Sequence, residues 1–228
     1  MNAELPDVSG IWNVEVATVG IAKIPVVGEI RTTTRSGLSV RIIQNGDQLE
    51  LVGTTEYIRI ESSSSVVRTI IPDAFVRSIP EMRRKGHLRR TGRGYQMFFP
   101  QHWEVTGANL SDPARESLPT SSSDRRVIDQ DGDGHPGVTV KVEGVVSGDI
   151  YVIQRGWDEW TIDVPSGENK ESLRGSIRWG MEQVILDATS RLLKRPPETR
   201  PDHNQSTLRF HRQQSARAYE GLHQRQAS

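Results

Sequence analysis

Cysteine is absent from the 228 residues of this chain, so a disulfide framework, a thiolate zinc site and a cysteine nucleophile are all excluded. Long hydrophobic runs are absent too, because no window approaches the roughly 18 consecutive apolar residues of a membrane-spanning helix. An excess of charge is also lacking, since 29 Lys and Arg residues balance 29 Asp and Glu residues. A neutral chain argues against a dedicated nucleic-acid binder, and we expect no nucleic-acid partner.

Signals for export and for catalysis are lacking as well. The opening residues, MNAELPDVSGIW, hold no basic segment followed by an apolar one, so we expect no signal peptide in the chain as given. If the chain is a mature segment, we expect a periplasmic or cell-surface location. No HExxH spacing, nucleophile elbow or phosphate-binding loop occurs. We therefore predict that the protein is not an enzyme.

What the sequence does contain is a series of β-strand patterns. Residues 138–143 alternate apolar and polar side chains, and Asn45-Gly46 between two alternating segments is a strong hairpin signal. A second hairpin is predicted at Ser147-Gly148-Asp149 and a third around Gly180-Met181, and a short helix fits only within 79–90. Strands are predicted at 10–18, 31–34, 39–44, 48–54, 57–61, 66–71, 94–99, 138–143, 150–154, 157–164, 173–179, 182–188 and 207–212. Short strands at this spacing indicate an all-β fold.

The expected architecture is a single antiparallel up-and-down β-barrel of lipocalin-like type, with a sandwich as the alternative. Gly10-Ile11-Trp12 matches the G-x-W pattern near the first strand of lipocalins. We place the barrel domain at 9–212, after an N-terminal arm (1–8) and before a flexible tail (213–228). The connection 107–137 is far longer than ordinary, and such loops are usually functional, disordered or held by something.

The segment DQDGDGHPGVTV, residues 129–140, ends this connection and is the most specific motif in the chain. Asp129, Asp131 and Asp133 stand at positions 1, 3 and 5 of a calcium-type loop. Their carboxylates would converge on one centre, where they would repel one another without a cation. Position 7 is His135, whose backbone carbonyl we predict as a further ligand. We therefore predict a structural calcium ion; the alternative is a solvated acidic turn.

The second half of the motif departs from an EF-hand. Position 12 holds valine instead of the bidentate Glu, and no helix flanks the loop. Ligands from neighbouring segments would have to complete the site. The candidates are Asp124, which we favour, Glu143 and Asp149.

A family resemblance starts at this loop. DQDGDGHPGVTV, GDIYVIQR (148–155), EQVILDATS (182–190) and PDHNQSTLRFHR (201–212) resemble segments of lipoprotein-like β-proteins from myxobacteria and related bacteria. The resemblance covers about residues 100–212 and brings no activity with it. It implies a lipocalin-like barrel by fold analogy alone.

Two further groups of residues are candidates for ligand binding. Six Lys or Arg residues lie between 83 and 93, a stretch that can associate with an anionic surface or simply form a solvated strand. Aromatic residues follow it, and two tryptophans three residues apart would lie on opposite faces of a strand, one of them exposed. Tryptophans in β-proteins are more often core. The predicted ligand-binding residues are Trp157, Trp160, Arg89, Arg90 and Tyr95.

Three functions remain open from the sequence. The first is a non-enzymatic protein that holds a small apolar molecule or lipid inside the barrel, with a calcium-held loop. The second is a calcium-dependent carbohydrate-binding or surface-binding module. The third is an enzyme such as a glycan-processing one, which needs two facing carboxylates that a sequence does not reveal. An open interior would favour the first hypothesis, and a filled core would favour the second.

Overall fold

The structure, a computed structural model, describes residues 5–24, 28–92, 94–166, 171–196 and 198–213. The described chain is nearly all β, which confirms the predicted class. Its strands are β1 (Gly10–Ile24), β2 (Gly28–Asn45), β3 (Gln48–Ser62), β4 (Val67–Ile70), β5 (Met82–Thr91), β6 (Gly94–Thr106), β7 (Val138–Gly144), β8 (Gly148–Pro165), β9 (Ser172–Ala188), β10 (Glu198–Pro201) and β11 (Thr207–Arg212). A helix, α1 (Asp73–Ser78), and a 3₁₀ helix (Arg191–Leu193) accompany them.

Eight of these strands close into a ring. The antiparallel pairs run β1–β2–β3–β5–β6–β8–β9–β11 and return from β11 to β1. Around the ring the strands follow chain order, as the up-and-down prediction requires. The tight β2–β3 turn is confirmed at the predicted place, with Gly46 at φ +62°.

The ring is barrel-like but irregular, because β8 is shared between two neighbours on one edge. Residues 148–152 of β8 pair with β7, and residues 154–165 pair with β6. The short strand β4 pairs with β7 and extends the sheet beyond the ring. Both faces of this part of the sheet are covered; it consists of β4, β7 and the neighbouring ends of β8 and β9. One face packs against α1, and the other packs against the long loop.

Side chains fill the interior of the ring. Alternate residues of all eight ring strands point inward, as the period-two patterns require, and they form one continuous buried cluster. Its members are Val8, Trp12, Val14, Val16, Leu38, Val40, Ile42, Leu49, Leu51, Leu88, Met97, Phe99, Trp160, Ile162, Val164, Leu173, Ile177, Leu208 and Phe210. Three rings meet at its centre, where Phe99 and Phe210 each approach Trp160 edge-on at 6.3 and 6.1 Å.

Trp12 closes one end of the ring. Its indole N–H donates to the carbonyl of Val8 at 3.1 Å, and the guanidinium of Arg212 lies 4.4 Å above its ring. Gln44 binds the entering chain by accepting from the amide of Val8. The described part of the predicted arm therefore seals this end, while residues 1–4 and 214–228 lie outside the described chain. Among the described residues, no helix has the length and apolar character needed to cross a membrane.

Two local predictions are wrong. Strand β5 occupies most of residues 79–90, where a helix was predicted. The period-two pattern of this strand is hidden in the sequence, because the buried Arg84 takes an inward position that would normally carry an apolar residue. Residues 172–188 form one strand, β9, instead of a hairpin at Gly180-Met181. Gly180 lies in the middle of β9, beneath the indole of Trp157, where a Cβ atom would come within 2.4 Å of the indole nitrogen.

Candidate functional site

Asp129, Asp131 and Asp133 come together as their spacing predicts. One carboxylate oxygen from each lies within 4.8 Å of the others, so the three form a group able to hold a metal ion. The loop stands immediately before β7, and its end is fixed by the sheet. Carboxylate oxygens are the ligands that hard divalent cations prefer.

The three carboxylates differ in how the loop satisfies them. Asp129 accepts from the amides of Gly132, Asp133 and Gly134 at 2.9, 3.2 and 2.9 Å. Asp133 accepts from the hydroxyl of Thr139 at 2.5 Å. Asp131 accepts from the amide of Thr139 through Oδ2, while its Oδ1 is buried and has no hydrogen-bond partner. A buried carboxylate oxygen without a donor is costly, and a cation at the centre of the group would satisfy it.

The electrostatics of the loop agree with that fit. Burial raises the pKa of Asp131 above its usual value, and the charges of Asp133 and Asp129 raise it further. For Asp133, burial also acts to raise the pKa, but hydrogen bonds from Thr139 and His135 outweigh it and lower the pKa. The charge of Asp131 is therefore the one that the loop itself compensates least.

Glycines and one glutamine hold the loop in place. Gly132, Gly134 and Gly137 have φ of +72°, +87° and +88°, a region that residues with a Cβ rarely adopt. Gln130 accepts from the amide of Gly107 at 2.7 Å and donates to the carbonyl of Ser78 at 3.1 Å. Gln130 thereby fastens the aspartate loop to the residue that follows β6 and to the last residue of α1.

The remaining predicted metal ligands are the backbone carbonyl of His135, which stays a prediction, and Asp124. His135 stacks its ring on Tyr151, with ring centres 4.1 Å apart, and thereby covers the outer face of β8. Asp124 does not belong to the acidic group, which corrects the prediction: its carboxylate accepts from the side chain of Arg126 at 3.1 and 2.8 Å, and this pairing lowers its pKa to about 2. Thr139, which donates twice to the group, was missed because a β-branched residue in a strand pattern carries no ligand signal.

A second feature lies on the same outer face of the sheet, beside the long loop. Trp103 of β6 and Trp157 of β8 are register partners with ring centres 6.5 Å apart, and both are half-buried. The next position along this row, on β9, is Gly180. Because glycine has no side chain, the indole of Trp157 lies against the sheet there. We call Trp103 and Trp157 the aromatic platform.

Arg155 connects the platform to the long loop. Its guanidinium lies 5.7 Å from the ring centre of Trp103. The same group donates to the carbonyls of Pro113, at 3.1 Å, and Glu116 in the loop, and pairs with Glu182 of β9. Arg155 and Glu182 thus border the aromatic rings, and the position of Arg155 depends on the loop.

The predicted ligand-binding residues do not form one site. Trp160 belongs to the core, with 1% of its surface exposed, so it is the inner one of the two tryptophans and its prediction as a ligand-binding residue is wrong. Arg89 is bonded to Gln96 at 3.1 and 3.0 Å. Arg90 of β5 is exposed, and its register partner Tyr95 packs against the core at the end of β6 that pairs with Val164 of β8. Roughly 23 Å of strand separates that end from Trp157.

The basic stretch 83–93 also proves heterogeneous. Arg83 pairs with Glu81 and Glu50 at 2.7 and 3.8 Å. Arg84 points inward, and its side chain is only 1% exposed. Arg93 lies outside the described residues. The exposed part of this stretch therefore carries less free positive charge than its composition indicates.

Arg84 forms a buried ion pair that the sequence does not reveal. Nη1 lies 2.5 Å from Oδ1 of Asp158. Nη2 donates to the carbonyls of Pro100 at 3.2 Å and Asp158 at 3.1 Å, and the guanidinium lies 4.4 Å above the ring of Trp160. A bulge in β6 between Phe99 and His102 accompanies the Pro100 contact. The pair therefore links β5 to β8 across β6.

Two titratable groups surround this pair. His102 is the register partner of Asp158, and its Nε2 lies 3.9 Å from a carboxylate oxygen of Glu104. Burial raises the pKa values of Asp158 and of Glu104, and their mutual repulsion adds to the shift of Glu104. The Glu104 side chain keeps 54% of its surface exposed, so water screens this carboxylate and its shift counts little toward stability.

A pH dependence follows from His102. Burial, followed by the charge of Arg84, lowers its pKa, so the unfolded chain takes up a proton near pH 6.5 before the folded protein does. We expect this residue to lower the free energy of unfolding as the pH falls from about 6.5 toward the reduced pKa of the folded state. Denaturant unfolding of wild type and His102→Gln across this range measures the effect. Parallel stability curves for the two proteins would contradict it.

Searches of protein-family models, of curated proteins and of solved structures found no match to this chain.

Proposed function

We propose that this protein is a calcium-dependent carbohydrate-binding module and that the aromatic platform is its binding surface. One observation carries the proposal: the indole of Trp157 lies over Gly180, half-exposed beside Trp103, at the border of the loop that holds the acidic group. Aromatic rings with an exposed face pack well against the apolar C–H faces of sugars. Two exposed charged groups beside them, Glu182 and Arg178, supply an acceptor and donors for hydroxyls.

Calcium is the cation that we propose for the acidic loop. Calcium accepts six to eight oxygen ligands in flexible geometry, including backbone carbonyls, whereas magnesium requires near-ideal octahedral geometry. Asp129, Asp131 and Asp133 supply side-chain oxygens from a glycine-rich loop, and the carbonyl of His135 is our candidate for a further ligand. When bound, the ion would neutralise the repulsion among the three carboxylates.

The loop and the platform are linked through residues of this chain. Gln130 fastens the acidic loop to Gly107, the first residue after β6 and the start of the long connection. Pro113 and Glu116, further along the same connection, hold Arg155 by their carbonyls, and Arg155 lies against Trp103. If the ion left and the long loop loosened, Arg155 would lose the carbonyls that hold it against Trp103. Calcium binding and the geometry of the platform would be coupled in this way.

The packed interior supports this hypothesis over a lipid-binding barrel. Side chains from all eight ring strands meet in one buried cluster with Trp12, Phe99, Trp160 and Phe210 among them. A lipid or other apolar molecule would have to displace this cluster, whose burial stabilises the fold. The filled interior therefore favours a ligand that binds on the outer surface of the ring over one that binds inside it.

A matched pair of glycine variants tests the platform. In Gly180→Ala the new methyl group would meet the Trp157 ring at 2.4 Å and tilt it away from the sheet. In Gly156→Ala the new methyl group meets only a backbone oxygen at 3.7 Å, an ordinary contact. We expect Gly180→Ala and Trp157→Ala to weaken glycan affinity by about tenfold or more, and Gly156→Ala to leave it unchanged. A glycan array followed by titration calorimetry measures both.

Chelation gives the second arm of this test. We expect a chelator to weaken binding to the same glycans, and added calcium to restore it. Absence of binding across the array would contradict the function. Binding that survives both Trp157→Ala and chelation would place the glycan elsewhere.

A further inference from the structure

Two apolar side chains protrude from one end of the sheet, away from the ring end that Trp12 closes. Val145, in the turn between β7 and β8, and Leu192, in the 3₁₀ helix, are each 77% exposed, the highest values among the large apolar residues of the described chain. Val66, 37% exposed, lies beside the turn, since the amide of Val145 donates to its carbonyl at 3.1 Å. Projecting apolar side chains at one end of a molecule can insert into a membrane or pack against a partner, and their burial there is favourable.

The turn that carries Val145 is held in shape. The hydroxyl of Ser147 donates to the carbonyl of Gly144 at 3.0 Å and accepts from its amide at 3.1 Å. Gly148, at the end of the turn, lies against the 3₁₀ helix, where an added Cβ would be 3.3 Å from Leu193. Leu193 packs into the core beside α1, so its neighbour Leu192 is directed outward. Both apolar tips are therefore positioned before any partner arrives.

Positive charge surrounds the second tip. The segment RLLKR, residues 191–195, carries three cations and no acid. Lys194 pairs with Asp187 at 2.8 Å. Within the described chain, Arg191 and Arg195 form no ion pair, and both are exposed. Their charge is free to meet an anionic surface.

We propose that this end of the molecule docks on anionic lipid bilayers, with Val145 and Leu192 inserted among the headgroups and Arg191 and Arg195 against lipid phosphates. We call these four residues the apical patch. A stable protein–protein contact needs about 800 Å² of matching surface on each side, whereas the patch consists of two separate projecting tips. A fluid bilayer adapts to such tips, and interfacial binding grows with inserted apolar area and with basic charge.

Vesicle sedimentation tests the proposal with the whole chain. We expect the protein to bind phosphatidylcholine vesicles that contain about 30 mol% phosphatidylglycerol, and to bind pure phosphatidylcholine at least about tenfold more weakly. The Val145→Glu/Leu192→Glu variant should lose at least about tenfold in lipid partitioning. Arg191→Glu/Arg195→Glu should lose binding to the anionic vesicles in particular. Both variants change exposed residues, and circular dichroism confirms that they fold.

Ile43→Glu is the matched control. Ile43 is also an exposed apolar residue, at 49%, but it stands next to the β2–β3 turn at the opposite end of the ring. This variant should bind vesicles as the wild type does. No binding of the wild type to anionic vesicles, or equal binding by the apical variants, would overturn the proposal. Self-association that the apical variants abolish, without lipid binding, would assign the patch to a contact between copies and would also overturn it.

Discussion

Replacing Arg84 by Met is expected to lower the free energy of unfolding by about 3–5 kcal/mol, the usual cost of breaking a buried ion pair from one side. The variant leaves the Asp158 carboxylate without its cation, next to Trp160 and under strand β6. It also leaves the carbonyls of Pro100 and Asp158 without their donor. For a chain of this length the loss corresponds to a fall in melting temperature of about 6–20 °C. Thermal unfolding followed by circular dichroism measures it.

The double variant Arg84→Met/Asp158→Leu separates the charge from the packing. With both ions removed, no unpaired charge remains, and apolar replacements of similar volume are often neutral or stabilising. We expect the double variant to recover the part of the loss that comes from the unpaired carboxylate, while the carbonyls of Pro100 and Asp158 lack their donor in both variants. Asp158 keeps 26% of its side-chain surface exposed, so if water screened the pair fully, Arg84→Met alone would cost less than about 1 kcal/mol. That result would contradict the prediction.

Arg84 also shows where the sequence stops being informative. It lies in a stretch with six cations in eleven residues, and a local pattern of that kind indicates a solvated surface. Its burial depends on Asp158, 74 positions away in the chain, and on the bulge in β6. No period or composition of residues 83–93 carries that information. The wrong helix in 79–90 has the same origin, because the buried cation interrupts the apolar alternation of β5.

The acidic loop was predictable because its geometry is local. Asp129, Asp131 and Asp133 lie within five residues, and the glycines between and after them allow the turn that brings the carboxylates together. Asp124, chosen from the same stretch by proximity alone, is bound instead to Arg126. Spacing thus predicted the residues that share one turn, and it did not predict which neighbouring acid was already paired.

The aromatic platform was only half predictable. Trp157 was a candidate because two tryptophans three residues apart must face opposite sides of a strand, and Trp160 does occupy the inner face. Its companions, Trp103 and Gly180, come from other strands, and only the register of β6, β8 and β9 places them in one row. Gly180 suggested a turn because a glycine that allows a bend and a glycine that allows a close contact are identical in a sequence.

Calcium is expected to raise the melting temperature of the wild-type protein by about 5–10 °C. A ligand held about a hundredfold above its dissociation constant adds about 2.7 kcal/mol of stability, and a domain of this length gains about 2–4 °C per kcal/mol. The gain should be sharply reduced in Asp131→Asn, because this change removes the charge that the loop compensates least and leaves a neutral amide oxygen in place of one of the three converging carboxylates. Differential scanning fluorimetry with calcium, magnesium or chelator measures it.

Asp149→Asn serves as the control for this experiment, because Asp149 also lies close to β7 but pairs with Lys141 at 3.3 Å and stands outside the acidic group. Its calcium shift should equal that of the wild type. Identical melting curves in calcium and in chelator would show that the three carboxylates form a solvated turn and hold no ion. A magnesium shift as large as the calcium shift would leave the acidic group a metal site but refute its selectivity. If calcium stabilises the fold while chelation leaves glycan binding intact, the ion holds the loop without orienting the platform, and the route through Arg155 is wrong.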